Sequence, residues 1–209
     1  MELEKLSNWP ADKNVKRLIY FCIVLYFVLF PIFMYYGSKS NYPVNFIASQ
    51  LSFSGDAIKS HFKTMSAEEL NYYRITTLLD FIYAIFYGTL LFSLSLYLAR
   101  KFNEETSWNK SGYLVSIFGI VAAICDMIEN TFILLMLTDP QGFPDAWAIT
   151  HSCFALVKFI LMGIGYIWIL LADIDLFWNK IQKFGSFIGV FACVYLHMWL
   201  PLFVLITWP

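Results

Sequence analysis

Five apolar runs, each long enough for a helix to cross a bilayer, leave this chain little choice of fold. They cover residues 18–36, 75–99, 112–137, 146–172 and 184–208. A hydrocarbon core about 30 Å thick takes a helix of about 20 apolar residues. No water is present there to satisfy backbone groups, so a spanning segment must close its hydrogen bonds within itself. Charged residues make up 14% of the chain, against about 25% in ordinary soluble domains. The expectation is an all-α integral membrane protein, a bundle of about five transmembrane helices forming one domain over residues 1–209.

The net charge of −1 supplies no field to attract a polyanion, and the basic residues are scattered near span ends. Nucleic acid is therefore excluded as a partner, and membrane lipids are the expected surroundings. Cys22, Cys125, Cys153 and Cys193 all fall within apolar runs and lack CxxC or zinc-finger spacing. They read as small hydrophobes.

Lys13, Lys16 and Arg17 precede the first run, a signal-peptide-like arrangement. The run exceeds a typical signal core and ends without a small-x-small site, so it reads as a retained helix kinked at Pro31. Residues 37–71 are too polar to span and too aromatic for a plain linker. Phe46, Ile47, Leu51, Phe53, Ile58 and Phe62 suit short helices lying in the membrane interface, as a lid or a passive connector. Ser66-Ala67-Glu68-Glu69 reads as a capping box opening the helix of the second span.

Counting spans places residues 13–17, 100–110 and 180–183 on one side, which their positive charge marks as cytoplasmic. The N-terminus is then cytoplasmic, and the 37–71 segment, the 138–145 turn and the C-terminus lie outside. A plasma or inner membrane is favoured over an organelle. Asn109-Lys110-Ser111 matches a glycosylation acceptor on the wrong side of the membrane.

Against this background the polar residues inside the spans stand out. Asp126, Glu129 and Asn130 fall at i, i+3 and i+4 on one helical face of the third span. Asp80, Tyr83 and Tyr87 share a face of the second, and His151 and Lys158 share a face of the fourth. The topology puts Asp126 and Lys158 near the midplane, Glu129 and Asn130 about 5 Å further out, and His151 roughly 10 Å outward of Lys158. Convergence on one pocket in the outer half of the bilayer follows. Three carboxyl groups against one lysine is an excess that a proton, a cation or a cationic ligand group must relieve. Intramembrane ionisable residues mark sites by default. Asp126, Glu129, Asp80 and Lys158 are the catalytic candidates, and Asn130, Tyr83, Tyr87 and His151 the ligand-binding ones. A plain Lys158–Asp126 salt bridge fixing helix register is the structural alternative.

No metal is expected, because the chain has neither HExxH nor a histidine pair at i, i+4. Ser152 and Cys153 beside His151 form no nucleophile elbow, and Gly163 and Gly165 lie within a span rather than in a phosphate loop. Lys158 would suit a Schiff base with a carboxylate counter-ion, but the proteins that work that way have seven spans. No cofactor is indicated. Acid/base chemistry on a lipophilic or amphiphilic molecule fits the residues best, one carboxyl group protonated and another ionised. In overall form the chain resembles the emopamil-binding and sigma-2 receptor group, small helical membrane proteins with intramembrane carboxylates that handle sterol-like ligands. The resemblance is one of architecture and carries over no site residue. A small proton- or cation-coupled carrier and an accessory subunit of a larger membrane complex are the other classes open to such a chain.

Overall fold

A computed structural model describes residues 3–178 of the chain, and every described element is helical. A 3₁₀ turn at Leu3–Ser7 precedes α1 (Asp12–Lys39), α2 (Phe46–Gln50), α3 (Gly55–Thr64), α4 (Ala67–Ala99), α5 (Ser107–Met136) and α6 (Asp145–Trp178). Four of these helices, α1, α4, α5 and α6, are long and apolar enough to cross a membrane. The expected run 184–208, with His197 and Cys193, lies outside the described residues.

Outward-facing apolar side chains carry the membrane reading. On α1, Phe21, Val24, Phe27 and Val28 are all more than half exposed. On α6, Ile160, Ile164, Ile167, Leu171 and Ile174 are each 44–58% exposed. A water-soluble protein rarely leaves such continuous apolar surface uncovered, whereas lipid tails cover it without cost.

Hydropathy marks the bilayer more reliably than it marks helix ends. The fourth span was expected to close at Ala172, yet α6 continues past the carboxylates Asp173 and Asp175 to Trp178. Residues 166–178 contain neither Gly nor Pro, so nothing interrupts the hydrogen-bond ladder when the side chains turn polar. Pro31 sits inside α1, as the sequence suggested.

The chain forms two compact units, to each of which α1, α4, α5 and α6 contribute a portion. The first comprises, of the described chain, residues 3–24, 87–121 and 161–178. Close helix contact through glycine defines its interior. A Cβ on Gly119 would stand 2.8 Å from both the Gly88 carbonyl oxygen and the Phe92 nitrogen of α4. Gly112 packs as tightly on Ala99 and the Trp168 ring, and the Trp168 indole donates to Ser111 Oγ at 2.8 Å. Arg100 ties down the N-terminal turn, donating to the Leu6 carbonyl at 2.7 and 2.9 Å and to Asp12 at 2.7 Å. The Asn109 amide is buried and donates to the Ala99 carbonyl and the Tyr113 hydroxyl. It is a helix-packing group with no room for a glycan.

The second unit comprises residues 25–86 and 122–160 and holds all of the 37–71 segment. Tyr42, Ile58, Phe62 and Met65 from that segment are buried with Tyr73 of α4, Ile133, Met136 and Leu137 at the end of α5, Phe143 of the turn and Ala148 of α6. Polar ties add to this core. Lys59 pairs with Asp145 at 2.7 Å, Gln141 donates to the Lys59 carbonyl, and the Phe53 N–H donates to Ser152 Oγ at 3.1 Å. Phe53 adopts a φ of 50°, a left-handed conformation that costs energy for an aromatic residue and that these surrounding contacts hold.

The capping box forms as expected. The Glu69 N–H donates to Ser66 Oγ at 3.2 Å, and the Ser66 N–H donates to Glu69 Oε2 at 2.7 Å. Glu69 Oε1 also accepts from the Asn41 amide, which joins the end of α1 to the start of α4. Ser66→Ala should therefore destabilise the protein by about 1 kcal/mol. A thermal melt of the purified variant beside wild type checks this, and an unchanged midpoint would contradict the capping role.

Candidate functional site

Helical periodicity places the polar residues on three faces, and the second unit brings most of them together. Lys158 of α6 lies between two carboxylates of α5, 2.8 Å from Asp126 Oδ1 and 2.5 Å from Glu129 Oε2. Asn130, the next residue on that face of α5, donates through Nδ2 to Asp80 Oδ2 of α4 at 3.1 Å. His151, two turns before Lys158 on α6, presents Nδ1 to Glu129 Oε1 at 4.0 Å. Asp126, Glu129, Asn130, His151 and Lys158 are each at least nine-tenths buried, and Asp80 is half-buried. Three helices thus contribute to one buried cluster of polar side chains.

Its internal balance is uneven. An ammonium group offers three N–H donors; Lys158 donates one to Asp126 Oδ1 and forms an ion pair with Glu129 Oε2. Both Glu129 carboxylate oxygens, Asn130 Oδ1 and His151 Nδ1 are buried without a hydrogen bond, Glu129 Oε2 being held by its ion pair with Lys158. A buried acceptor without a donor costs about 1–3 kcal/mol, more when it is charged. No group of three or more His, Cys, Asp or Glu side chains among the described residues has a metal-holding arrangement.

Other candidates are placed differently. The Tyr83 ring packs on α1, 5.8 Å from Tyr26 and 5.3 Å from Phe33. Tyr87 is buried in the first unit, whereas the network belongs to the second. Arg74 donates to the Leu137 carbonyl at 3.0 Å, closing off the end of α5.

A second polar cluster in the 37–71 segment went unread in the sequence. The buried Tyr42 hydroxyl lies 2.8 Å from Ser49 Oγ and 3.3 Å from His61 Nδ1. Burial pushes the Tyr42 phenol up to about 12, and burial lowers the His61 imidazole, so both are neutral at pH 7. Tyr42 precedes α2, Ser49 lies in α2 and His61 in α3, so only the folded segment assembles them.

Comparison with protein-family models, curated proteins and solved structures yields no match to this chain. The site's own geometry is the basis for a functional reading.

Proposed function

We propose that the Asp80–Asn130–Asp126–Glu129–Lys158–His151 network binds a small lipophilic or amphiphilic molecule and transforms it by acid/base chemistry. The observation that carries this reading is a buried polar cluster drawn from three helices that leaves side-chain atoms of Glu129, Asn130 and His151 without a hydrogen bond. A network built only to hold helices together would gain by pairing every member, since each unmet atom subtracts from stability. Lys158 holds Asp126 and Glu129 as its counter-ions. A protonated carboxyl group beside them gives its proton to one carbon of the substrate while an ionised one takes a proton from another. The substrate isomerises and the protein ends with the protons it began with.

In this reading the 37–71 segment lies at the outer membrane interface and covers the site. The 184–208 run supplies a fifth span, and the N-terminus is cytoplasmic. Phe53 of this cover is tied through its N–H to Ser152, the chain neighbour of His151.

Native mass spectra of the gently solubilised full chain, wild type beside Glu129→Gln, test the reading. Wild type should retain a defined adduct of small-molecule mass that the variant loses, with both expressed and folded alike. Heterogeneous phospholipid in both samples would set the reading aside in favour of a structural network or a subunit of a larger complex.

A further inference from the structure

Two ammonium groups share one aromatic ring in the first unit. Lys16 of α1 stands over the Tyr97 ring of α4, 5.7 Å from its centroid, and Lys101 stands over the same ring at 4.7 Å. The negative face of the ring attracts each cation, but two like charges held at one ring repel each other. Neither lysine has a carboxylate partner among the described residues. Asp12, the only acidic residue of α1, is taken by Arg100 at 2.7 Å.

Local structure holds both lysines in place. Val15 is fully buried, which sets the rotation of α1 and leaves Lys13, Lys16 and Arg17 exposed. The Lys101 N–H donates to the Leu98 carbonyl at 2.9 Å, and the next residue, Phe102, stacks on Trp108 of α5 at 5.6 Å.

Charge and depth identify the occupant. Six basic side chains stand against three acidic ones over residues 12–17 and 100–110, an excess that favours an anion. The apolar run of α1 begins at Leu18, directly after Arg17. Tyr20, one turn on from Lys16, is 70% exposed, as is Trp9. Exposed Trp and Tyr at the start of an apolar run mark the level of the lipid headgroups, so the anion at hand there is a headgroup. A zwitterionic headgroup would bring a cation of its own to the lysines, whereas a net-anionic one does not.

We propose that the Lys16–Tyr97–Lys101 cluster binds the headgroup of an anionic phospholipid. Its phosphate oxygens accept hydrogen bonds from both ammonium groups, and the ring keeps the two lysines convergent before the lipid arrives. The site uses no residue of the buried network and stands apart from the function proposed above.

The detergent-solubilised full chain is titrated with dioleoyl phosphatidylglycerol and with dioleoyl phosphatidylcholine, which differ only in headgroup. Native mass spectrometry reads the bound lipid. The anionic lipid should bind about tenfold or more tighter. Lys16→Gln combined with Lys101→Gln should weaken it by about twentyfold or more, at about fivefold for each charge. Lys39→Gln combined with Lys63→Gln removes the same charge from exposed positions of the second unit and should leave binding unchanged. Tyr97→Leu keeps the charge but removes the ring, and should cost about threefold. Melts without lipid establish that the variants fold.

Equal binding of the two lipids, equal loss in the two double variants, or unchanged affinity in folded Tyr97→Leu would each overturn the proposal. Displacement of the lipid by inorganic phosphate at matched concentration would overturn it too, making the cluster a site for a free anion. Glu129→Gln should retain the phosphatidylglycerol that the Lys16, Lys101 double variant loses, so this site and the buried network are decided separately.

Discussion

Lys158→Met should lower the thermal midpoint of the solubilised protein by roughly 6–20 °C, following a loss of about 3–5 kcal/mol. Lys158 is 4% exposed, and its ammonium group serves both Asp126 and Glu129. Methionine fills a similar volume but leaves two carboxylates facing each other without a counter-ion. Taking one member from a buried ion pair costs far more than the pair contributes, because the charge left behind has lost its water as well. The triple variant Lys158→Met, Asp126→Asn, Glu129→Gln should recover much of the loss, since no uncompensated charge remains. Far-ultraviolet circular dichroism melts of the single and triple variants provide the measurement. A single variant as stable as wild type would mean that the carboxyl groups are already neutral and that Lys158 contributes little.

Gly119→Leu should be the most damaging change away from the charged network, at about 1–3 kcal/mol or more. Its Cβ would meet the Gly88 carbonyl oxygen and the Phe92 nitrogen at 2.8 Å, and main-chain atoms within a helix cannot turn aside as a side chain does. The α4 and α5 portions of the first unit would have to separate, losing the packing that helices in lipid depend on. Ile120→Leu is the control. Ile120 is 42% exposed, so a leucine placed next door should leave the melt unchanged. Equal stability of both variants would refute the close helix contact.

The Gly88 contact illustrates how far linear reading reaches. Gly88 lies beside Tyr87 within an apolar run, and the glycine it meets, Gly119, lies 31 positions away on another helix. The two tyrosines of the same face show the converse. Asp80, Tyr83 and Tyr87 share a side of α4, yet Asp80 bonds to Asn130 while Tyr83 packs on Tyr26 and Phe33. A helical face is about 100° wide, and neighbours that differ by tens of degrees meet different helices.

The 37–71 segment was legible in part. Its apolar residues and the Ser66 capping box announced short helices and a helix start, because capping is a local contest for the first free N–H groups. Its attachment to Asp145, Gln141 and Ser152, and the Tyr42–Ser49–His61 cluster, carry no local signature.

By itself the sequence determined that the chain is helical and built for a membrane, since long apolar runs in a medium without hydrogen-bond partners have no other way to satisfy their backbone. It also determined which residues share a face, because 3.6 residues per turn is a property of the backbone alone. Only the tertiary structure decided who meets whom. Lys158 stands between Asp126 and Glu129, Asn130 turns to Asp80, and His151 stops 4.0 Å short of Glu129. Those distances depend on how closely and at what rotation the helices pack, which no single helix specifies.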